Sequence, residues 1–401
     1  MENRKGHPYL IILTLWLMVF AASSQVIIVV PILPRIGEVF GVSESLLGLL
    51  GTSYALMLCV FALVAGPISD RIGRRAIILT GCLFMTLALA LHGFADTFGL
   101  LLLMRSLAGI GAGFLSGSAI SYVGDWFYYE RRGWAAGWIM SGIAFGQIVG
   151  IPLGTVLADL YDFRAPFLAF AAVMGAACVL VWFCLPQPLL ERDRGPLSVR
   201  RAMKRYGELL RDKVTAAAVV SYVFMFLGIG MYVYYLPLWL ENDIGLTATN
   251  VASLFFVGGL ANVVASPVAG RLSDSIGRKP ILIVACVGLG LVMVLTTIFV
   301  VDLLTAYILF GAAMGLGAMR ISPLQALMTA LVTHDRRGIL MSLSVAMGQL
   351  AFGLGSAVAG STYVAYGYRN NTLWAAVAVF VMALVVWFAL PEPGKAATTE
   401  K

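Results

Sequence analysis

Charge is what this sequence has least of. Asp, Glu, Lys and Arg make up 12% of its 401 residues and apolar residues 60%, against roughly 25% and 45–50% in a soluble domain. So few charges cannot cover an apolar surface in water, which excludes a string of soluble domains and leaves lipid as the main solvent. Histidine is nearly missing: His7, His92 and His334 are the only three, too few and too scattered for a multi-histidine metal centre. The five cysteines (Cys59, Cys82, Cys178, Cys184, Cys286) lie in or beside apolar runs. They show neither metal-ligand nor disulfide-framework spacing, and read as small core residues. No Asp or Glu stands near the middle of an apolar run. With no clustered nucleophile, base or metal set, the chain does not read as an enzyme, and no metal or cofactor is expected.

What is present is apolar length. Mean hydropathy is +0.92, and a helix needs about 20 apolar residues to span a bilayer. Twelve such runs can be read, near 9–34, 45–69, 76–94, 98–124, 134–158, 165–185, 214–240, 248–272, 280–300, 303–327, 338–363 and 371–390. The first has a rival reading as a secretory signal, with Arg4-Lys5 before it and Ala21-Ala22-Ser23-Ser24 as a cleavage site. The apolar run resumes at Val26 and reaches Leu33, which favours an uncleaved span. The 27 Lys and Arg set the orientation. With both termini cytoplasmic, 22 fall on that side, three (Arg35, Arg164, Arg369) on the other, and Arg105 and Arg320 inside spans. This is the positive-inside pattern of a plasma (inner) membrane protein, not a nucleic-acid footprint.

The chain therefore reads as an all-α integral membrane protein of two pseudo-symmetric six-helix bundles, 1–185 and 214–401, joined by a linker over 186–213. In that linker Val199, Met203, Tyr206, Leu210 and their neighbours recur at helical spacing, with Arg200, Arg201, Lys204, Arg205 and Arg211 opposite. This predicts a basic amphipathic helix on an anionic leaflet, or a solvated linker whose periodicity is incidental. The halves repeat: Gly66-Pro-Ile-Ser-Asp70-Arg71-Ile-Gly73-Arg74-Arg75 returns as Gly270-Arg-Leu-Ser-Asp274-Ser-Ile-Gly277-Arg278-Lys279. Three further matches, Glu130-Arg-Arg-Gly133, Gly109-x-Gly111 and Phe163-Arg164, recur in the same order. The glycines permit close helix approach. Asp70 is expected to dock on the positive N-terminus of span eleven, and Asp274 on that of span five, as a latch that a modest tilt breaks.

These features resemble the major facilitator superfamily over nearly the whole chain. The resemblance implies that the loop motif (Gly66, Asp70, Arg71, Gly73, Arg74; Gly270, Asp274, Gly277, Arg278) stabilises the outward-open state. It also implies that Asp125, ending span four, contacts Arg74, with no matching acid in the second half. Arg105-x-x-x-Gly109-x-Gly111 is similar to the pattern whose arginine is associated with proton coupling. Gly142-x-x-x-Gly146-x-x-x-Gly150-Ile-Pro152-Leu-Gly154 resembles the signature of the drug/proton antiporter branch. It departs in having Ile151 between glycine and proline, and Thr155 in place of a final glycine. The acid that many proton-coupled members carry in span one is absent, which leaves Glu38, Asp125 or His92 to carry protons, although His92 reads first as a hydrogen-bonded packing residue.

The implied activity is alternating-access efflux of a small amphipathic organic compound or drug, coupled to protons. The alternative is an organic-anion exchanger or uptake permease using Arg105 and Arg320. Spans 1, 4, 7 and 10 line the cavity in this family, so Gln25, Arg105, Arg320 and the aromatic residues of span seven, Phe226, Tyr232 and Tyr235, are the candidate substrate-binding set. Packing on neighbours or facing lipid is the ordinary alternative for the aromatics, snorkelling to the surface for Arg320, and a structural role, bonding to backbone or to Gln25, for Arg105. A receptor built on this scaffold is disfavoured by the short tails. The expected partners are a small-molecule substrate, protons and membrane lipids; a monomer is expected.

Overall fold

The computed structural model describes residues 7–188 and 199–392. Among them, twelve helices are long and apolar enough to cross a membrane. They are Pro8–Ile27, Glu44–Ser69, Arg74–Phe94, Phe98–Trp126, Glu130–Leu160, Ala165–Cys184, Lys213–Asn242, Ala248–Ile276, Arg278–Phe299, Leu303–Ala330, Arg336–Tyr366 and Tyr368–Ala389, here spans one to twelve. The chain divides into two compact units, Met1–Val199 with Thr247–Phe256, and Arg200–Leu246 with Val257–Lys401.

Spans one, four, seven and ten are broken. Span one stops at Ile27 and helix resumes over Leu33–Phe40; span four stops at Leu115 and resumes at Ser118. Span seven stops at Val233 and resumes at Leu236, and span ten stops at Ala318 and resumes at Ile321. The first helix of every group of three is thus interrupted, at places related by the duplication. The local causes are proline at 31, 34, 237 and 323, which removes a donor and clashes with the preceding turn, and Gly117, whose φ of +71° suits glycine.

A break frees backbone groups that lipid cannot satisfy, and side chains take them up. The Gln25 carbonyl, in the last turn before the first break, accepts from Arg105 Nη1 at 3.3 Å. The Tyr232 carbonyl, in the last turn before the break of span seven, accepts from the Tyr368 hydroxyl at 2.5 Å. In span four, Ser118 Oγ donates to the Leu115 carbonyl at 2.8 Å. In span ten the turn closes on itself, with Met319 N donating to Gly315 O at 3.0 Å and Arg320 N to Gly317 O at 3.4 Å.

Span five packs on span one through its glycines. A Cβ on Gly142 would sit 2.9 Å from the Trp16 carbonyl oxygen, and one on Gly146 2.6 Å from Ser23 Oγ. On Gly150 it would collide with Ser24 Oγ, and on Gly154 with the Ile28 side chain. Four glycines spaced by four residues form one groove along the helix, and span one lies in it. Within the groove, residues Gly146–Gly150 form a π-helical turn before Pro152, an irregularity found mostly at functional positions.

The linker is helical over Val199–Arg211. Its Tyr206 and Leu209 are buried and Met203 and Leu210 exposed; the side chains of Arg200, Arg201 and Arg205 lie outside the described residues. Burial raises the Tyr206 hydroxyl above its ordinary pKa. Asp212 caps span seven by accepting from Thr215 N at 2.9 Å, and that bond holds its carboxyl below the usual range.

Gly150→Leu should force span five off span one and cost about 1–3 kcal/mol or more, as overpacking does. A lowered Tm of the purified protein in detergent is the expected result. An equal loss from Gly137→Leu, where a Cβ meets nothing within 4 Å, would show that span five tolerates no added bulk anywhere.

Candidate functional site

In the first unit the site is built around Arg105. Its helix buries Leu101, Met104, Arg105, Ala108, Gly109 and Ala112 on one face, the spacing of an amphipathic helix turned inside out for lipid. Glycine allows the contact. A Cβ on Gly109 would strike the Tyr54 carbonyl of span two, one on Gly113 would sit 2.5 Å from Phe61 Cβ, and one on Gly111 2.9 Å from Met85 N of span three. Gly109 and Gly113 therefore seat span four on span two, and Gly111 seats it on span three.

That approach sets the chemistry. Arg105 is 1% exposed, and its Nη1 donates to Gln25 Oε1 at 3.1 Å as well as to the Gln25 carbonyl. Its guanidinium carbon stands 4.6 Å from the centre of the Tyr54 ring, and Gln25 Nε2 donates to the Tyr54 hydroxyl at 3.0 Å. Both of these acceptors are neutral, and the ring face adds attraction. The cluster holds a permanent positive charge. His92 is 0% exposed. Its ring stacks on Phe167 at 4.3 Å and its Nδ1 lies 2.7 Å from the Ala88 carbonyl. A carbonyl only accepts, so Nδ1 donates there, and among the described residues Nε2 has no partner.

In the second unit Arg320 sits in the break of span ten, 0% exposed; it does not snorkel to the surface. The aromatic stripe of span seven is divided among its neighbours. Phe226 stacks on Tyr222 of its own helix at 5.3 Å and both lie against Gly348 of span eleven, while Tyr235 stacks on Tyr363 at 5.3 Å and Trp239 on Tyr368 at 4.9 Å. The Tyr232 hydroxyl is 2.9 Å from Thr296 Oγ1. Gln25 and Arg105 are brought together, whereas Phe226 and Tyr235 are used in packing between helices of their own unit.

At the loop motifs, Arg74 Nε donates to Asp125 Oδ2 at 2.6 Å and Nη1 to Ser69 Oγ at 2.9 Å. In the second half Arg278 Nη1 donates instead to the Ala326 carbonyl at 2.9 Å. Arg71 and Asp274 are exposed, and the Asp70 side chain lies outside the described residues. A Cβ on Gly66 meets nothing within 4 Å, and one on Gly270 lies 3.2 Å from Ser322 Oγ. Gly73 and Gly277 have φ of +101° and +119°, and sequence reasoning missed why. Gln187 Oε1 accepts from Arg75 N at 3.1 Å, and Glu392 Oε1 from Arg278 N at 2.7 Å. These side chains cap the N-termini of spans three and nine, and a Cβ on Gly73 or Gly277 would lie 2.5 Å from Gln187 Nε2 or 2.9 Å from Glu392 Oε1. Each glycine leaves room for the tail of its own half to clasp the helix start. The signal was available: Val181-Trp-Phe-Cys-Leu-Pro-Gln-Pro188 returns as Val386-Trp-Phe-Ala-Leu-Pro-Glu-Pro393, a further repeat.

The model of the Major Facilitator Superfamily matches residues 15–302 and 218–401. The chain belongs to this superfamily. As a major facilitator protein it is a multi-pass membrane transporter and not an enzyme. It is 28% identical over 396 residues to the multidrug resistance protein MdtG of Yersinia enterocolitica, covering 95% of this chain and 93% of that one. It is 27% identical over 398 residues to the MFS-type transporter YwfA of Bacillus subtilis, covering 98% and 95%. The xylose transporter XylE from E. coli shares the fold, with a TM-score of 0.77 at 19% identity, covering 97% of this chain and 99% of that one.

Two pairs of substitutions test these arrangements. Gln25→Leu removes an acceptor from a buried cation and should cost about 3 kcal/mol, lowering Tm; adding Arg105→Met should recover much of that loss, since the stranded charge goes with it. Gly277→Ala should cost about 1–3 kcal/mol through backbone strain and displacement of Glu392, while Gly245→Ala, with φ of +76° but nothing near its Cβ, should cost less. Equal losses at the two glycines would remove the clasp from the account.

Proposed function

We propose that this transporter exports a small amphipathic organic compound or drug by alternating access, driven by protons moving the other way. The observation that carries the reading is the glycine groove of span five. The segment that resembles the drug/proton antiporter signature forms, through Gly142, Gly146, Gly150 and Gly154, the continuous seat of a broken span one. A π-turn and Pro152 lie within it. The glycines bring the two helices close, with Trp16 and Phe20 of span one packed on Phe145 beside the groove. The multidrug-resistance names carried by relatives such as MdtG support the same reading.

Glu38, Asp125 and His92 are the groups to which proton coupling is assigned. Glu38 pairs with Arg35 at 3.4 Å and Asp125 with Arg74 at 2.6 Å, and His92 Nε2 is the unpartnered buried base. The location proposed is the inner membrane with both termini cytoplasmic, on the strength of the basic loops. A second reading, exchange or uptake of an organic anion, is favoured by one specific observation, the buried Arg320.

Proteoliposome flux across a panel of amphipathic cations, neutral compounds and anions tests the proposal. At least one compound should move outward several-fold faster when an opposing pH gradient is imposed, and Gly150→Leu should abolish the movement. Flux indifferent to the pH gradient would remove proton coupling; flux strictly dependent on a counter-anion would favour the exchanger.

A further inference from the structure

Arg35, Arg164 and Arg369 stand at span ends opposite the loop motif of their own unit, and the two in the first unit are ion-paired. Arg35 meets Asp159 at 2.6 Å and Glu38 at 3.4 Å, and Arg164 meets Asp162 at 2.6 Å and Asp96 at 3.4 Å. Arg369 is the duplicate of Arg164, because Tyr161-Asp162-Phe163-Arg164 returns as Tyr366-Gly367-Tyr368-Arg369. Neither acid of Arg164 serves it. Gly367 takes the place of Asp162, with φ of +76° and nothing within 4 Å of a Cβ. In the register of Gly109 and Gly315, Asp96 corresponds to Asp302, which is turned onto its own helix start and accepts from Thr305 N at 2.8 Å. Among the described residues Arg369 enters no ion pair.

Where the lost acid would stand there is a cavity. Gly367 and Arg369 line it, and its volume is about 440 Å³, within the roughly 300–1,000 Å³ of small-molecule sites. Its wall carries one group of each sign. Asp243 lines the same cavity, is exposed, and among the described residues its carboxylate accepts from the Tyr363 hydroxyl at 3.4 Å without pairing with Arg369. Trp239 and Tyr368 supply an aromatic wall. Their rings are stacked at 4.9 Å and 20°, and the Tyr368 hydroxyl is committed to the Tyr232 carbonyl, so the wall is fixed in advance. Tryptophan and tyrosine gather at this depth, the level of lipid headgroups. The flank beside the cavity is apolar: Val364 in its wall, Ile298 next to Thr297, and Leu373 and Trp374 about one turn from Arg369 are all exposed. An exposed apolar flank of this kind is covered by lipid tails.

We propose that this cavity holds the headgroup of a zwitterionic phospholipid whose cation is a primary ammonium, with the phosphate on Arg369 and the ammonium on Asp243. The phosphate takes the role toward Arg369 that the Asp162 carboxylate has toward Arg164, a charge-assisted contact to a guanidinium. The ammonium N–H groups meet the Asp243 carboxylate and the hydroxyl oxygen of Tyr363 beside it, whereas a quaternary ammonium has no N–H to give. A purely anionic headgroup would set its charge against Asp243. A free zwitterion would satisfy both charges and leave the apolar flank bare, which is why the occupant is a lipid. Under the orientation proposed above the site belongs to the outer leaflet, and it does not depend on which cargo is carried.

The test uses the full-length protein in detergent, with bound lipid read by native mass spectrometry from equimolar phosphatidylethanolamine, phosphatidylcholine and phosphatidylglycerol of identical tails. The wild type should hold one phosphatidylethanolamine about tenfold more tightly than either of the others. Asp243→Asn should hold phosphatidylethanolamine no better than phosphatidylcholine, and Arg369→Gln should weaken both about tenfold. Gly367→Asp restores the acid that Arg164 has; it should pair with Arg369 and displace the phosphate, weakening phosphatidylethanolamine about tenfold. Gly367→Asn is its control, since Asn tolerates a positive φ as Asp does and brings no charge, and it should retain the lipid. This pair keeps the test valid if a variant at 243 or 369 fails to fold. The proposal is overturned if the wild type holds phosphatidylcholine as tightly as phosphatidylethanolamine, if Asp243→Asn or Arg369→Gln binds as the wild type does, or if the two variants at 367 behave alike. Soluble phosphoethanolamine separates the two sources of this chemistry. It should leave the Tm in phosphatidylcholine nanodiscs unchanged, and a rise as large as that given by phosphatidylethanolamine would make the occupant a free zwitterion and overturn the lipid assignment.

Discussion

Backbone and charge cannot lean on water inside a bilayer, and most of this structure follows from that constraint. A continuous helix satisfies its own backbone, yet the first helix of every group of three is interrupted. Each interruption frees a carbonyl, and three of the four are answered by a side chain. Arg105 answers Gln25, Ser118 answers Leu115, and Tyr368 answers Tyr232. In span ten the backbone answers itself, and the residue left in the gap is Arg320. The same duplicated architecture thus spends one buried arginine on its own backbone and sets the other against the sulfurs of Met382 and Cys286.

Duplication supplied the frame, and divergence within it set the differences between the halves. Arg74 is paired with Asp125, whereas its counterpart Arg278 meets only the Ala326 carbonyl. The clasp on span three is the amide of Gln187, and that on span nine the carboxylate of Glu392. A carboxylate at a helix start, beside Arg278 and Lys279, gains from the helix dipole in a way an amide does not. The half that lacks a counterpart of the Arg74–Asp125 pair thus carries the charged clasp.

The spans were legible because a bilayer imposes length: twelve apolar runs read from composition lie within a few residues of the helices, apart from the first and its continuation. The glycine row of span five was legible because four glycines at four-residue intervals have one helical face in common. The breaks were less so. Proline marks those of spans one, seven and ten, but nothing in Leu115-Ser116-Gly117-Ser118 separates a break from an ordinary small-residue stretch. For the two arginines, Gln25 was legible as one partner open to Arg105, whereas the sulfur partners of Arg320 were not. Arg105 finds Gln25 across 80 positions of chain and Arg320 finds Met382 across 62, and only packing decides which acceptor each one reaches. The clasp was missed for another reason: the eight-residue repeat that carries it was in plain view but lies outside the signature of the loop it serves.

The central claim is that side chains take up the backbone groups that the breaks set free. Amide hydrogen exchange of the protein in nanodiscs, compared between wild type and Tyr368→Phe, tests it most directly. The account predicts faster exchange confined to the turns around Val233 and Leu236, with the rest of spans seven and twelve unchanged. Unchanged exchange at that break, with the hydroxyl gone, would contradict it.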